Sequence, residues 1–146
     1  MPFHVECGNN SFPDSEWTDF AFPIIYQWAE KLLENYRISS SSYTLYFMDG
    51  PYRLDVEQYN DKLKLAGVCF NKKRVDFEFV CSYLEFLSEL LKASRFLTRM
   101  IRTQLSLDDC TETTSFCETA RYYEKKIRPI LKAQGAQGST GDGGVC

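Results

Sequence analysis

The chain has 146 residues, 44% hydrophobic and 25% charged, with 17 Lys+Arg against 20 Asp+Glu and a formal net charge of -3. That size suits one folded domain with its own core, and no run approaches the about 18 apolar residues of a membrane span. The net acidity argues against a protein built to hold duplex nucleic acid, which needs a basic excess.

Residues 1–15 (MPFHVECGNNSFPDS) contain Pro2, Pro13, Gly8 and the Asn9-Asn10 pair. They are predicted as an irregular arm, tacked down by Phe3, Val5 and Phe12. The arm has neither a basic n-region nor an apolar run, so no signal peptide is expected. Trp17, Phe20, Ile24, Ile25, Trp28, Leu32 and Tyr36 then recur at helical spacing. Asp14 or Ser15 offers a cap for a helix starting near Trp17. Pro23 favours a later start, near Phe22–Pro23, because proline is tolerated only in the first turn. The run Ser39-Ser40-Ser41-Ser42 is expected to follow the end of the helix, since short hydroxyl side chains offer the backbone competing bonds.

An antiparallel four-stranded meander comes next. Residues 43–48 (YTLYFM) are aromatic and β-prone. Asp49-Gly50-Pro51 signals a turn. In 52–57, Tyr52, Leu54 and Val56 alternate with Arg53, Asp55 and Glu57, giving one dry and one wet face. A turn at Asn60-Asp61 sets Glu57 opposite Lys64 and Tyr59 opposite Lys62 in the returning strand, 62–70. After a turn at 71–74, Val75, Phe77 and Phe79 alternate with Asp76 and Glu78 as the fourth strand. The period then changes. Val80, Tyr83, Leu84, Leu87, Leu90, Leu91, Ser94, Leu97 and Ile101 fit a helix over about 82–105, acids first and bases last, as the helix dipole favours.

Leu107-Asp108-Asp109-Cys110 reads as a connector. Ser115-x-x-Glu118 fits a capping box, followed by the stripe Phe116, Ala120, Tyr123, Ile127 and Leu131, which Pro129 interrupts or ends. From Ala133 the sequence AQGAQGSTGDGGVC holds five of the eight glycines and is expected to be a disordered tail. The predicted fold is therefore α+β and two-layered, in the order α-β-β-β-β-α-α. It forms a single domain over 1–132, with an irregular arm at 1–15 and the tail at 133–146.

Charge is uneven along the chain. Residues 1–36 hold six acids and one base, whereas residues 92–132 hold nine bases and five acids. Such a distribution suits a protein partner. The six cysteines, at 7, 69, 81, 110, 117 and 146, show no C-x2-C spacing, and His4 stands alone, so no metal site and no cofactor are expected. Reduced cysteines and a cytoplasmic location fit this pattern.

No chemistry-bearing constellation emerges. There is no Gly-rich phosphate loop and no G-x-S-x-G. His4 lies in the arm, where a triad would need it delivered to a nucleophile and an orienting acid. The acid pairs Asp55/Glu57 and Glu85/Glu89 sit in solvated settings, and solvated acids make poor acid catalysts. No catalytic residue is assigned.

In overall character, the chain resembles the immunity proteins of bacterial toxin–immunity pairs: small, acidic, α+β and without a catalytic constellation. The resemblance rests on no motif, and no family residue is carried over. It implies a non-catalytic protein-binding module that covers the active site of a cognate toxin. The expected partner-binding residues come from the polar sheet face and the acidic first helix with its approach: Asp19, Glu30, Glu34, Arg53, Asp55, Glu57 and Tyr59. Tyrosine and arginine are the usual interface anchors, and charge sets specificity. Three alternatives stay open: a small-molecule binder or hydrolase with a pocket between sheet and helices, a nucleic-acid binder using Arg95, Arg99 and Arg102, and a homo-oligomer subunit.

Overall fold

A computed structural model describes the chain apart from residues 1–2, 15, 17, 72–73, 105–109 and 141–146. The expected helix start at Trp17 with its Ser15 cap, the centre of the turn at 71–74, most of the connector after Leu107 and the end of the tail lie outside the described residues. The chain divides into two compact units, Met1–Phe86 and Leu87–Cys146.

The first unit carries the sheet. Strands β1 (Val5–Cys7) and β2 (Asn10–Phe12) form a small hairpin where an irregular arm was expected. Its two-residue turn starts at Gly8, with φ 60, a conformation that two-residue hairpin turns require and glycine supplies. Helix α1 (Ala21–Glu34) places Pro23 in its first turn, where the missing N–H costs nothing. One stripe of α1 is buried: Ile24, Ile25, Trp28 and Leu32.

Four strands follow as an antiparallel meander in sequence order: β3 (Ser40–Tyr46), β4 (Tyr52–Tyr59), β5 (Lys62–Cys69) and β6 (Arg74–Ser82). The α+β fold read from the sequence is thus observed. Three of the four serines lie in β3, because β4 is long enough to pair Ser40 with Tyr59 and Ser42 with Glu57. The two-residue turn at Asn60-Asp61 sets Glu57 opposite Lys64 and Tyr59 opposite Lys62, as expected. A bulge at Gly67/Val68 pairs Gly67 with Phe77 and Val68 with Val75, so the alternation expected from Val75 through Phe79 is broken.

Leu45, Leu54, Val56, Leu63 and Leu65 fill the inner sheet face, each no more than 1% exposed. Helix α1 packs on this face. Trp28 meets Phe47 edge-on at 5.3 Å, and its Nε1 donates to the Tyr46 carbonyl at 2.8 Å. Gln58, also buried, is fully engaged: its Oε1 accepts from the Tyr43 hydroxyl, and its Nε2 donates to the Asn35 and Ile38 carbonyls. These bonds fix the end of α1 to the sheet.

Helix α2 (Tyr83–Gln104) starts directly after β6. The sequence reading missed its cap. The Ser82 hydroxyl accepts the Glu85 N–H at 3.0 Å, and the Glu85 carboxylate accepts the Ser82 N–H at 3.4 Å, a reciprocal capping box. The Tyr83 hydroxyl donates to the Leu32 carbonyl at 2.7 Å.

The second unit is helical. Leu87, Leu90, Leu91, Ser94 and Leu97 form the buried stripe of α2. Helix α3 (Cys110–Thr140) buries Ala120 and Ile127, members of the predicted stripe. Two expectations are corrected here. Ser115 lies inside α3 and is no cap; its carbonyl accepts the Thr119 hydroxyl. Pro129 does not end the helix. Proline deprives the Lys125 carbonyl of its N–H partner, but Pro129 stands on an exposed face, where water can serve instead. The helix runs on to Thr140, through the first part of the segment expected to be disordered.

Candidate functional site: the outer face of the sheet

Strand alternation puts Arg53, Asp55, Glu57 and Tyr59 on the sheet face opposite the core. Register adds Tyr46 beside Arg53, Thr44 beside Asp55, Lys64 beside Glu57 and Val80 beside Lys64. Tyr59 is 70% exposed, Val80 61% and Tyr46 54%. Three large apolar bodies therefore stand in water around a band of charge.

The charges of that band are tied to one another. Arg53 Nε lies 2.9 Å from Asp55 Oδ1, and Arg53 Nη2 donates to Asp55 Oδ2 at 3.4 Å. The Arg53 guanidinium also lies 4.8 Å from the centroid of the Phe70 ring, a cation–π contact. Thr44 Oγ1 donates to Asp55 Oδ1 at 3.4 Å. Lys64 Nζ lies 3.1 Å from Glu78 Oε1 and 4.0 Å from Glu57 Oε2. The hydrogen bond to Glu78 and then the nearby charges of Glu78 and Glu57 hold the Lys64 ammonium above its ordinary pKa. Each pair is half exposed and adds little stability. Their effect is geometric: Arg53 is held in one place by a carboxylate on one side and a ring on the other.

The predicted site residues do not form one cluster. Arg53, Asp55, Glu57 and Tyr59 share the outer face. Glu30 and Glu34 belong to α1, which packs on the inner face, and Glu34 pairs with Lys31 at 3.6 Å. Asp19 is 7% exposed, and its carboxylate accepts backbone N–H groups of Phe20 and Asp49. Asp19 is thus an internal tie and offers no free carboxylate to a partner. Val80 was read as the first residue of the α2 stripe, yet it lies in β6 on the outer face. Only the pairing of β6 with β5 reveals this, since a valine three residues before a helix fits either period.

His4 remains in the N-terminal hairpin, with its Nε2 2.7 Å from Glu6 Oε1. Cys7, Cys69, Cys81 and Cys117 are free thiols. Burial, with help from Glu85 and Cys7, pushes the Cys81 thiol up to about 12, the wrong direction for a nucleophile. Of the bases weighed for nucleic acid, Arg95 is engaged: its Nε and Nη2 donate to Glu124 Oε1 at 3.1 and 2.8 Å. Among the described residues, no group of three or more His, Cys, Asp or Glu is placed to hold a metal ion. Nor is any helix among them long and apolar enough to cross a membrane.

No protein-family model, curated protein or solved structure matches the chain.

Proposed function

We propose that the chain is a non-catalytic protein-binding module that works through the outer face of its sheet. One observation carries this reading: an arginine held by both Asp55 and Phe70 stands beside the exposed Tyr46, and Tyr59 and Val80 stand exposed farther along the same face. Exposed aromatic side chains and an arginine held in place are what interface hot spots are made of. The surrounding Asp55, Glu57, Lys64 and Glu78 would supply specificity through charge complementarity. Within this reading, an inhibitor or immunity role against a toxin domain in the cytoplasm rests on the resemblance in overall character.

The test uses the tagged chain as bait in a lysate of its native cells, washed at physiological and at high salt, beside Tyr59→Ala and Arg53→Ala. A stoichiometric protein that survives both washes on the wild type and is lost from both variants supports the reading. Capture that is indifferent to both substitutions removes the sheet face from the account.

A further inference from the structure

On α3, Arg121, Glu124, Lys125 and Arg128 line an open groove of about 210 Å³. They recur at helical spacing on one exposed side and span about 10 Å of helix axis. One oxygen of the groove's single carboxylate is engaged, because Glu124 Oε1 takes two N–H bonds from Arg95. The three cations are different. The other ion pairs of the chain include Lys31 with Glu34, Lys64 with Glu78 and Lys92 with Glu89. Among the described residues, none pairs with Arg121, Lys125 or Arg128. Arg121 and Lys125 are like charges one turn apart, an arrangement that repels within a helix. An anion in the groove would relieve that repulsion.

We propose that this groove is a binding site for a short oligophosphate, either inorganic or the triphosphate of a nucleotide. Two guanidinium forks and an ammonium suit phosphoryl oxygens, which accept several donors each. Three unpaired cations match an anion of several charges better than a single carboxylate. The groove is short, and the chain carries a net charge of -3, which opposes a long polyanion. All four lining residues belong to α3.

Tripolyphosphate, ATP, citrate and a single-stranded oligonucleotide are each titrated into the full chain by calorimetry, in wild type, Arg121→Gln, Arg128→Gln and the control Arg99→Gln. Circular dichroism verifies that each variant keeps its helix content. Saturable tripolyphosphate binding is expected. It should weaken about tenfold in each groove variant, the size of one charge-assisted hydrogen bond, and stay unchanged in the control. ATP binding more tightly than tripolyphosphate makes the nucleotide the source; equal affinity leaves the phosphate chain as the whole determinant. The proposal is overturned by the absence of saturable binding to wild type, by equal binding in the groove variants, by citrate binding as tightly as tripolyphosphate, or by the oligonucleotide binding more tightly.

Discussion

The Asp19 carboxylate grips the backbone N–H of Asp49 with both oxygens, at 3.1 and 3.2 Å. One of those oxygens also accepts the N–H of Phe20 at 2.7 Å. A single buried side chain thus ties the approach to α1 to the turn between β3 and β4. Its negative charge sits at the N-terminus of α1, where the helix dipole favours it. Asp19→Ala leaves buried donors without an acceptor and is expected to cost about 2 kcal/mol. Asp19→Asn keeps an acceptor oxygen and should cost less. Urea midpoints of the two variants decide the matter; an Asp19→Ala chain as stable as wild type would show that the tie is idle.

Asp19 also marks where sequence reasoning reaches its limit. An aspartate next to an acidic segment looks like surface charge, and nothing local reveals that a turn thirty residues later presents an N–H to it. The meander was legible because its signals are local: alternation in β4, turn residues at Asn60-Asp61 and the change of period at Ser82. The N-terminal hairpin was hidden by its brevity, three residues a side, and by the proline that follows it. Half of the outer face could be read from β4 alone. Glu78 follows from its alternation with Phe77 and Phe79, but Val80 depends on the pairing of β5 with β6, which no single strand encodes.

Phe12 and Gly67 should be energetically coupled. A Cβ built on Gly67 would stand 2.6 Å from Phe12 Cδ2, and Phe12 is only 2% exposed, between Phe47, Tyr52 and Phe77. The ring has nowhere to go. Gly67→Ala is expected to cost about 1–3 kcal/mol through overpacking, and Phe12→Ala about 3–5 kcal/mol through loss of a buried ring. In the double variant the added methyl enters space the ring has left, so the two costs should sum to more than the measured loss. Strict additivity in a denaturant-melt cycle would refute the close approach.

Stability should fall on the alkaline side. Burial raises the Tyr43 and Tyr83 hydroxyls above their ordinary 10.0, with Tyr83 and Tyr36, respectively, adding to the effect. The Cys81 thiol is likewise raised from 9.0 to about 12. In each case the unfolded chain gives up its proton first. It then binds fewer protons than the folded chain, and stability declines as pH rises. The contribution is complete below about pH 9 and is lost progressively above it, first through Cys81 and then through the tyrosines. The Tyr43 and Tyr83 hydroxyls also donate to Gln58 and to the Leu32 carbonyl, bonds that ionisation forfeits. Urea midpoints from pH 7 to pH 11 should fall more gently in Tyr83→Phe, which starts lower but has one fewer group to ionise. An identical slope would exclude Tyr83 as a contributor.

The outer-face reading separates binding from folding, and that separation can be measured. Tyr59 is 70% exposed and no core residue rests on it, so Tyr59→Ala should change stability by no more than about 0.5 kcal/mol. Arg53→Ala releases Asp55 and uncovers Phe70, a half-exposed arrangement worth about 1 kcal/mol at most. Both should nevertheless abolish capture of the partner, since truncating a central anchor commonly costs about 2 kcal/mol or more of binding. Glu34→Gln provides the contrast. It belonged to the same predicted set, but it stands on α1, which covers the opposite face of the sheet, and it should leave capture intact. If Glu34→Gln releases the partner while Tyr59→Ala retains it, the contact surface is the acidic helix and the outer face is only solvated.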